Sequence, residues 1–324
     1  MDRPMDTPPA LGEFLRTRRA RLRPEDVGLV SYGTRRRVPG LRREELAQLA
    51  GVSVAYYTRL EQGQSSGASD GVLDAIARAL RLTPDEHAHL RNLARPARAA
   101  RRPAPRAEAA RPSTRRLIEA MDGVPALVLT ARFDVLAWNP LGHALVAGHL
   151  AADAPERPAD RPNTQRLLFL DPHTRELYPD WESDARLAVS ALRLAAGAHP
   201  DDRRLAELIG ELTMKSGEFA ALWSRHPVRQ CSYGVKSFHH PLVGPMELSF
   251  EMTQLADSGD QRLLMYGAEP GSPSEAALRL LASGLATAPG SRAEPRSESR
   301  SESRLAFRPL PRNSARNGRN SARP

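Results

Sequence analysis

Arg42 and Arg43 stand just ahead of one short apolar pattern in "LRREELAQLAGVSVAYYTRLEQG" (Leu41–Gly63), and Arg59 lies inside a second. Guanidinium groups at this spacing suit anion chemistry, because each offers a planar fork of donors to phosphate or to a base edge. Other residues able to do chemistry are sparse. The chain has no GxSxG elbow, no Walker loop and no HExxH, so no catalytic residue is assigned and the chain is not read as an enzyme. His226, Cys231, His239 and His240 come nearest to a metal cluster. Adjacent histidines on a strand project to opposite faces, so His239 and His240 cannot share an ion without a bulge, and no metal ligands are assigned. The single cysteine, Cys231, reads as a small apolar residue rather than a redox sensor.

The arginines need elements to aim them. Leu41, Leu46, Leu49 and Ala50 make one apolar stripe, and Val52, Tyr57 and Leu60 another. Ala47 sits where the first helix would face the second. Gly51 falls at the joint, where a left-handed backbone is tolerated, and Ser53 follows as N-cap. The outer face of the second helix would then carry Ser53, Val54, Ala55, Tyr56 and Arg59, small at its start with a cation one turn on. Such a helix enters a major groove N-terminus first. Arg42 and Arg43 would lie at the N-terminus of the first helix, where the dipole disfavours cations unless a phosphate is bound. Upstream, "RPEDVGLVSYGTRRRVPG" places Arg35, Arg36 and Arg37 where they would reach phosphates or a minor groove, or form a solvated loop. The expected partner is double-stranded DNA.

Around this pair the chain divides by composition. It has 324 residues and a net charge of +9, unevenly spread: residues 1–118 are basic, residues 119–290 carry 15 Lys/Arg against 22 Asp/Glu, and the tail from Ser291 has 9 Arg against 3 Glu. A polyanion partner is therefore expected for the first region only. With one cysteine, no visible secretory signal and no apolar run of membrane length, the expected setting is cytoplasmic, on the nucleoid when bound to DNA, with no membrane partner. Five helical patterns precede a Pro-, Ala- and Arg-rich linker at 95–116, and residues 1–10 read as disordered. "ALVLTARFDVLAWN" (Ala126–Asn139) then reads as strands about a turn near Arg132. Helical segments follow, then three strands between Val228 and Pro270 and a last helix from Ser272. This is an α+β domain around one sheet. Residues 284–324, with repeated SESR and RNSAR blocks, read as a disordered basic tail.

"EELAQLAGVS…YYTRLEQG" together with "IARALRL" resembles the helix-turn-helix of Cro/phage-repressor-like regulators of the xenobiotic-response-element class, over residues 11–94. The long insert between Leu22 and Leu41 departs from the simpler members and is typical of an actinobacterial branch. "DVLAWNPLGHALV", "FAALWSRHPV", "GVKSFHHPLVG" and "LLMYGAEPGSPSEAALRLLAS" resemble the MmyB-like ligand-binding domain, which implies a PAS-like fold over residues 117–283. The resemblance also implies a pocket between sheet and helices, with a fatty acid as one candidate effector. Phe133, Leu136, Trp138, Leu145, Phe219, Trp223, Phe238 and Phe250 are the candidate wall residues, with ordinary core as their other reading. Two functions stay open: a transcriptional regulator whose second domain senses a small apolar ligand, or a DNA-binding protein whose second domain only dimerises or docks a partner. A homodimer is expected, because one small helix-turn-helix rarely supplies enough affinity alone.

Overall fold

Up to residue 94 the described segments form helices along the apolar stripes. The computed structural model describes residues 10–29, 40–63, 68–94, 108–229 and 231–287. Its first five α-helices are α1 (Ala10–Arg21), α2 (Arg43–Leu49), α3 (Val54–Glu61), α4 (Asp70–Ala79) and α5 (Pro84–Ala94). A capping box opens α5: the Thr83 N–H donates to Glu86 Oε2 at 2.9 Å, and Glu86 N–H to Thr83 Oγ1 at 3.3 Å. Leu15, Leu41, Leu46, Tyr57, Leu60, Ile76 and Leu90 close the core between these helices, all fully buried. Burial of such side chains is worth about 1.5–3 kcal/mol each, which short helices need because they are marginal alone.

The second half is built on a five-stranded antiparallel sheet of β1 (Ala126–Leu129), β2 (Val135–Trp138), β3 (Tyr233–His240), β4 (Gly244–Gln254) and β5 (Arg262–Gly267), in the order β2-β1-β5-β4-β3. The central pairings set Leu127 opposite Leu264 and Phe250 opposite Tyr266. Between β2 and β3 run α7 (Pro140–Ala147), α8 (Thr164–Leu170), α9 (Pro172–Leu177), α10 (Trp181–Ala198), α11 (Arg203–Lys215) and α12 (Gly217–Ser224); α13 (Pro273–Thr287) follows the sheet. Leu127, Leu129, Val135, Phe238, Leu248 and Phe250 join the helices in the main core. The fold is thus an all-α helix-turn-helix domain followed by an α+β, PAS-like one. Asn139 pins its first hairpin: Oδ1 accepts from the N–H groups of Ala126 and Gly142, and Nδ2 donates to the carbonyls of Ile118 and Val124.

Two segment readings change. α6 (Pro112–Glu119) begins inside the stretch read as linker; it buries only Ile118, against Ala126, Val128 and Leu136, so it leaves no apolar period to detect. α13 continues to Thr287, past the expected start of the tail, and residues 1–9 and 288–324 lie outside the described residues. No helix among the described residues is long and apolar enough to cross a membrane.

Candidate nucleic-acid interface and ligand cavity

The joint between α2 and α3 is four residues long, Ala50 to Ser53. Gly51 adopts φ +65°, and the Val52 N–H donates to the Ala47 carbonyl at 3.0 Å, closing the C-terminus of α2. Ser53 Oγ then accepts from the Tyr56 N–H at 3.1 Å and starts α3. Tyr57 and Leu60 turn fully inward, whereas Ser53, Val54, Ala55 and Arg59 are exposed and Tyr56 is half-buried. The face of α3 that carries Arg59 is therefore exposed among the described residues, led by small side chains.

Arg42 is exposed as the N-cap of α2, and its N–H donates to Glu45 Oε2 at 2.7 Å. The dipole conflict read from the sequence is met inside the protein, because Glu44 and Glu45 occupy the first turn. Arg43 differs from expectation more. Its Nη2 donates to Glu61 Oε1 at 3.3 Å, so its charge already has a carboxylate partner. Glu61 is 1% exposed and is also held by Arg19 at 2.7 Å. Burial works to raise the Glu61 pKa, but the Arg19 and Arg43 guanidinium groups outweigh it and hold the carboxyl below its ordinary range. This pairing crosses from α1 and α2 to α3, which sequence spacing does not reveal. Arg35, Arg36 and Arg37 lie outside the described residues.

The second domain holds a partly open, largely apolar cavity of about 120 Å³ between α8, α10 and the sheet. Phe133 and Phe250 line it, with Leu187, Ala188, Ala191 and Leu264. Its polar lining was not foreseen. Lys236 Nζ lies 2.6 Å from Asp184 Oδ1, and the Tyr178 and Tyr266 phenols stay neutral because burial pushes both pKa values up. Gln165 Oε1 and Thr174 Oγ1 also line the cavity, are buried, and make no hydrogen bond. The only hint in the sequence is that Lys236 is one of two lysines, set in a strand.

The other candidate wall residues are elsewhere. Leu136 points to the opposite face of the sheet, under α6, by strand alternation. Leu145 lines a second cavity, between α7, α9 and α13. Trp138 donates Nε1–H to the Ala152 carbonyl at 2.8 Å. Phe219 is core, between Phe169 and Trp223, and Phe238 packs edge-on against Tyr266. Trp223 carries the Arg193 guanidinium 3.9 Å above its ring.

That arginine belongs to a seam where the two domains meet. Arg18 of α1 donates to the His226 carbonyl at 2.7 Å, and Glu13 Oε1 lies 2.7 Å from His226 Nε2. Arg18 Nε is also 2.9 Å from Glu86 Oε1, and burial nevertheless lowers the Arg18 pKa to about 10. Leu194 and Val228 of the second domain complete the core of the first. α10 thus lines the cavity with Leu187, Ala188 and Ala191 and meets α5 through Gly197, which lies against His89.

A helix pair with an exposed face carrying a cation, joined to a PAS-like module with a largely apolar cavity, defines a DNA-binding transcription regulator with a ligand-binding domain. Residues 110–281 match the MmyB-like transcription regulator ligand binding domain, and residues 10–90 match a helix-turn-helix domain. The chain belongs to the MmyB-like regulators; these are regulator families, not enzymes. No curated protein matches it in sequence.

Proposed function

We propose that this chain is a sequence-specific regulator whose affinity for DNA changes when a small, largely apolar molecule enters the cavity beneath α10. The exposed face of α3 supports the DNA reading: Ser53, Val54, Ala55 and Tyr56 would meet base edges, Arg59 a base or phosphate, and Arg42 the backbone. Arg43 contributes by bracing α3 through Glu61 rather than by phosphate contact alone.

α10 is the observation that carries the coupling. A molecule seated against Leu187, Ala188 and Ala191 and one that displaces that face differ in what they ask of Gly197 and α5. A ligand shifts an equilibrium only by its differential affinity for two arrangements, and a shared rigid helix supplies such a difference. The cavity favours an apolar body with one polar end, which Lys236, Gln165 and Thr174 would receive. Its volume is close to the roughly 150 Å³ that holds a benzene ring. A fatty acid would place its carboxylate on Lys236 and require the walls to part along its chain.

The active species would be a cytoplasmic homodimer, located on the nucleoid when bound. The exposed β3 edge, with Tyr233 and Val235 outward, is a surface suited to pairing. The test is native mass spectrometry and organic extraction of the purified protein, followed by DNA binding with and without the extracted molecule. A stoichiometric small molecule that changes affinity for duplex DNA supports the reading. Empty extracts, with no ligand-induced thermal shift, leave the second domain as a dimerising or docking module.

A further inference from the structure

The second cavity, of about 580 Å³, is walled by Leu145, Leu177, Leu281 and Leu285 and contains four histidines. Two are committed to backbone: His143 Nε2 meets the Leu150 carbonyl at 2.9 Å, and His240 Nε2 the Ala144 carbonyl at 3.0 Å. The other two, His149 and His173, converge on one carboxylate. His149 Nε2 lies 3.0 Å from Asp171 Oδ2, and His173 Nδ1 lies 3.8 Å from Asp171 Oδ1. One ligand atom from each of the three residues falls within 4.8 Å of the others.

Asp184, Asp202 and Glu211 are each paired with lysine or arginine, whereas the ion-pair partners of Asp171 among the described residues are two imidazoles. Asp171 is held rigidly, as the end of α8 and the N-cap of α9, with Oδ1 accepting from the Thr174 N–H at 2.8 Å. Ligand atoms in a tetrahedral zinc site stand roughly 3.3 Å apart, given bonds of about 2.0–2.2 Å. The two rings are stacked, 4.7 Å between centroids and 16° from parallel, so one must leave the stack to complete such a set. His173 has a side chain 70% exposed and is free to turn.

We propose that His149, Asp171 and His173 bind one divalent transition-metal ion of the zinc class on the wall of the second cavity. Two imidazoles and a carboxylate suit zinc, cobalt(II) or nickel(II), and leave a position for water or a donor atom from a cavity occupant. The spacing, 22 residues from His149 to Asp171 and two more to His173, matches no sequence motif. Only the packing of α7 beside the α8–α9 junction brings the three together.

The test uses untagged, chelator-treated full-length protein titrated with zinc by calorimetry and with cobalt(II) by visible absorption. One equivalent is expected, with a cobalt spectrum of low-symmetry coordination and a rise in Tm. His149→Gln and His173→Gln should each weaken zinc binding about tenfold or more. Asp171→Asn, which keeps the cap acceptor, should do the same with its circular dichroism unchanged. His239→Gln should bind as wild type does. Absence of binding by the parent protein overturns the proposal, and so does unchanged affinity in the His149→Gln/His173→Gln double variant.

Discussion

Gly197 lies so close to His89 that a Cβ added to the glycine would fall 2.5 Å from His89 Cε1. No side chain fits between α10 and α5 at this point, so the cavity-lining helix and the last helix of the DNA-reading domain are in direct register. The first consequence is mechanical. Gly197→Ala gains up to about 1 kcal/mol of helix propensity, but overpacking a tight contact costs about 1–3 kcal/mol, so the second effect prevails. Thermal unfolding should show a lower Tm, and DNA affinity should lose its ligand response. A variant more stable than the parent would show that the seam is loose.

Acid should weaken the same seam. Arg193, Arg18 and His226 face His89, and burial, the largest effect, followed by Arg193, lowers its pKa to about 4. The unfolded chain titrates near the ordinary value of about 6.5. Between these values the unfolded state takes a proton that the folded state refuses. The contribution of neutral His89 is therefore complete above about pH 6.5 and is lost as pH falls toward 4, to a limit of about 3 kcal/mol. His226, paired with Glu13, shifts in the same direction, with burial again the largest cause. Urea unfolding across this range should steepen toward acid in the parent, and His89→Gln should flatten the profile. An equal slope in both would remove His89 as its source.

On DNA, Arg59→Ala should cost about 1–3 kcal/mol and relax specificity at the base it reads. Arg42→Ala should weaken all sequences alike and reduce the salt slope by about 1. Titrations of specific and scrambled duplexes at several salt concentrations separate the two effects. Unchanged binding by Arg59→Ala would move the recognition face away from α3.

Within the cavity, Lys236→Met strands the Asp184 carboxylate, whose side chain is 9% exposed. Breaking one side of a buried pair typically costs about 3–5 kcal/mol, whereas replacing both partners with apolar residues is often neutral. Urea midpoints should therefore drop for Lys236→Met and largely recover in Lys236→Met/Asp184→Leu. The double variant should also lose any anionic ligand. Equal midpoints for the single variant and the parent would show that the pair is solvated.

The sequence by itself determined the helix pair, its Gly51 joint and the outward set from Ser53 to Arg59, because a cap, a turn and a 3.6-residue period are local and each leaves a residue-level mark. It also determined the class of the second domain through strand alternation and closing meander. It did not determine which apolar residues wall a cavity. Phe133, Phe219, Phe238 and Phe250 are alike in type, and only the crossing of α10 over the sheet decides that the first and last line the space while the other two fill the core. The Arg43–Glu61 pair, the Lys236–Asp184 pair and the approach of His149 to Asp171 and His173 likewise join separated parts of the chain. Their geometry comes from packing between elements, which no one-dimensional spacing encodes.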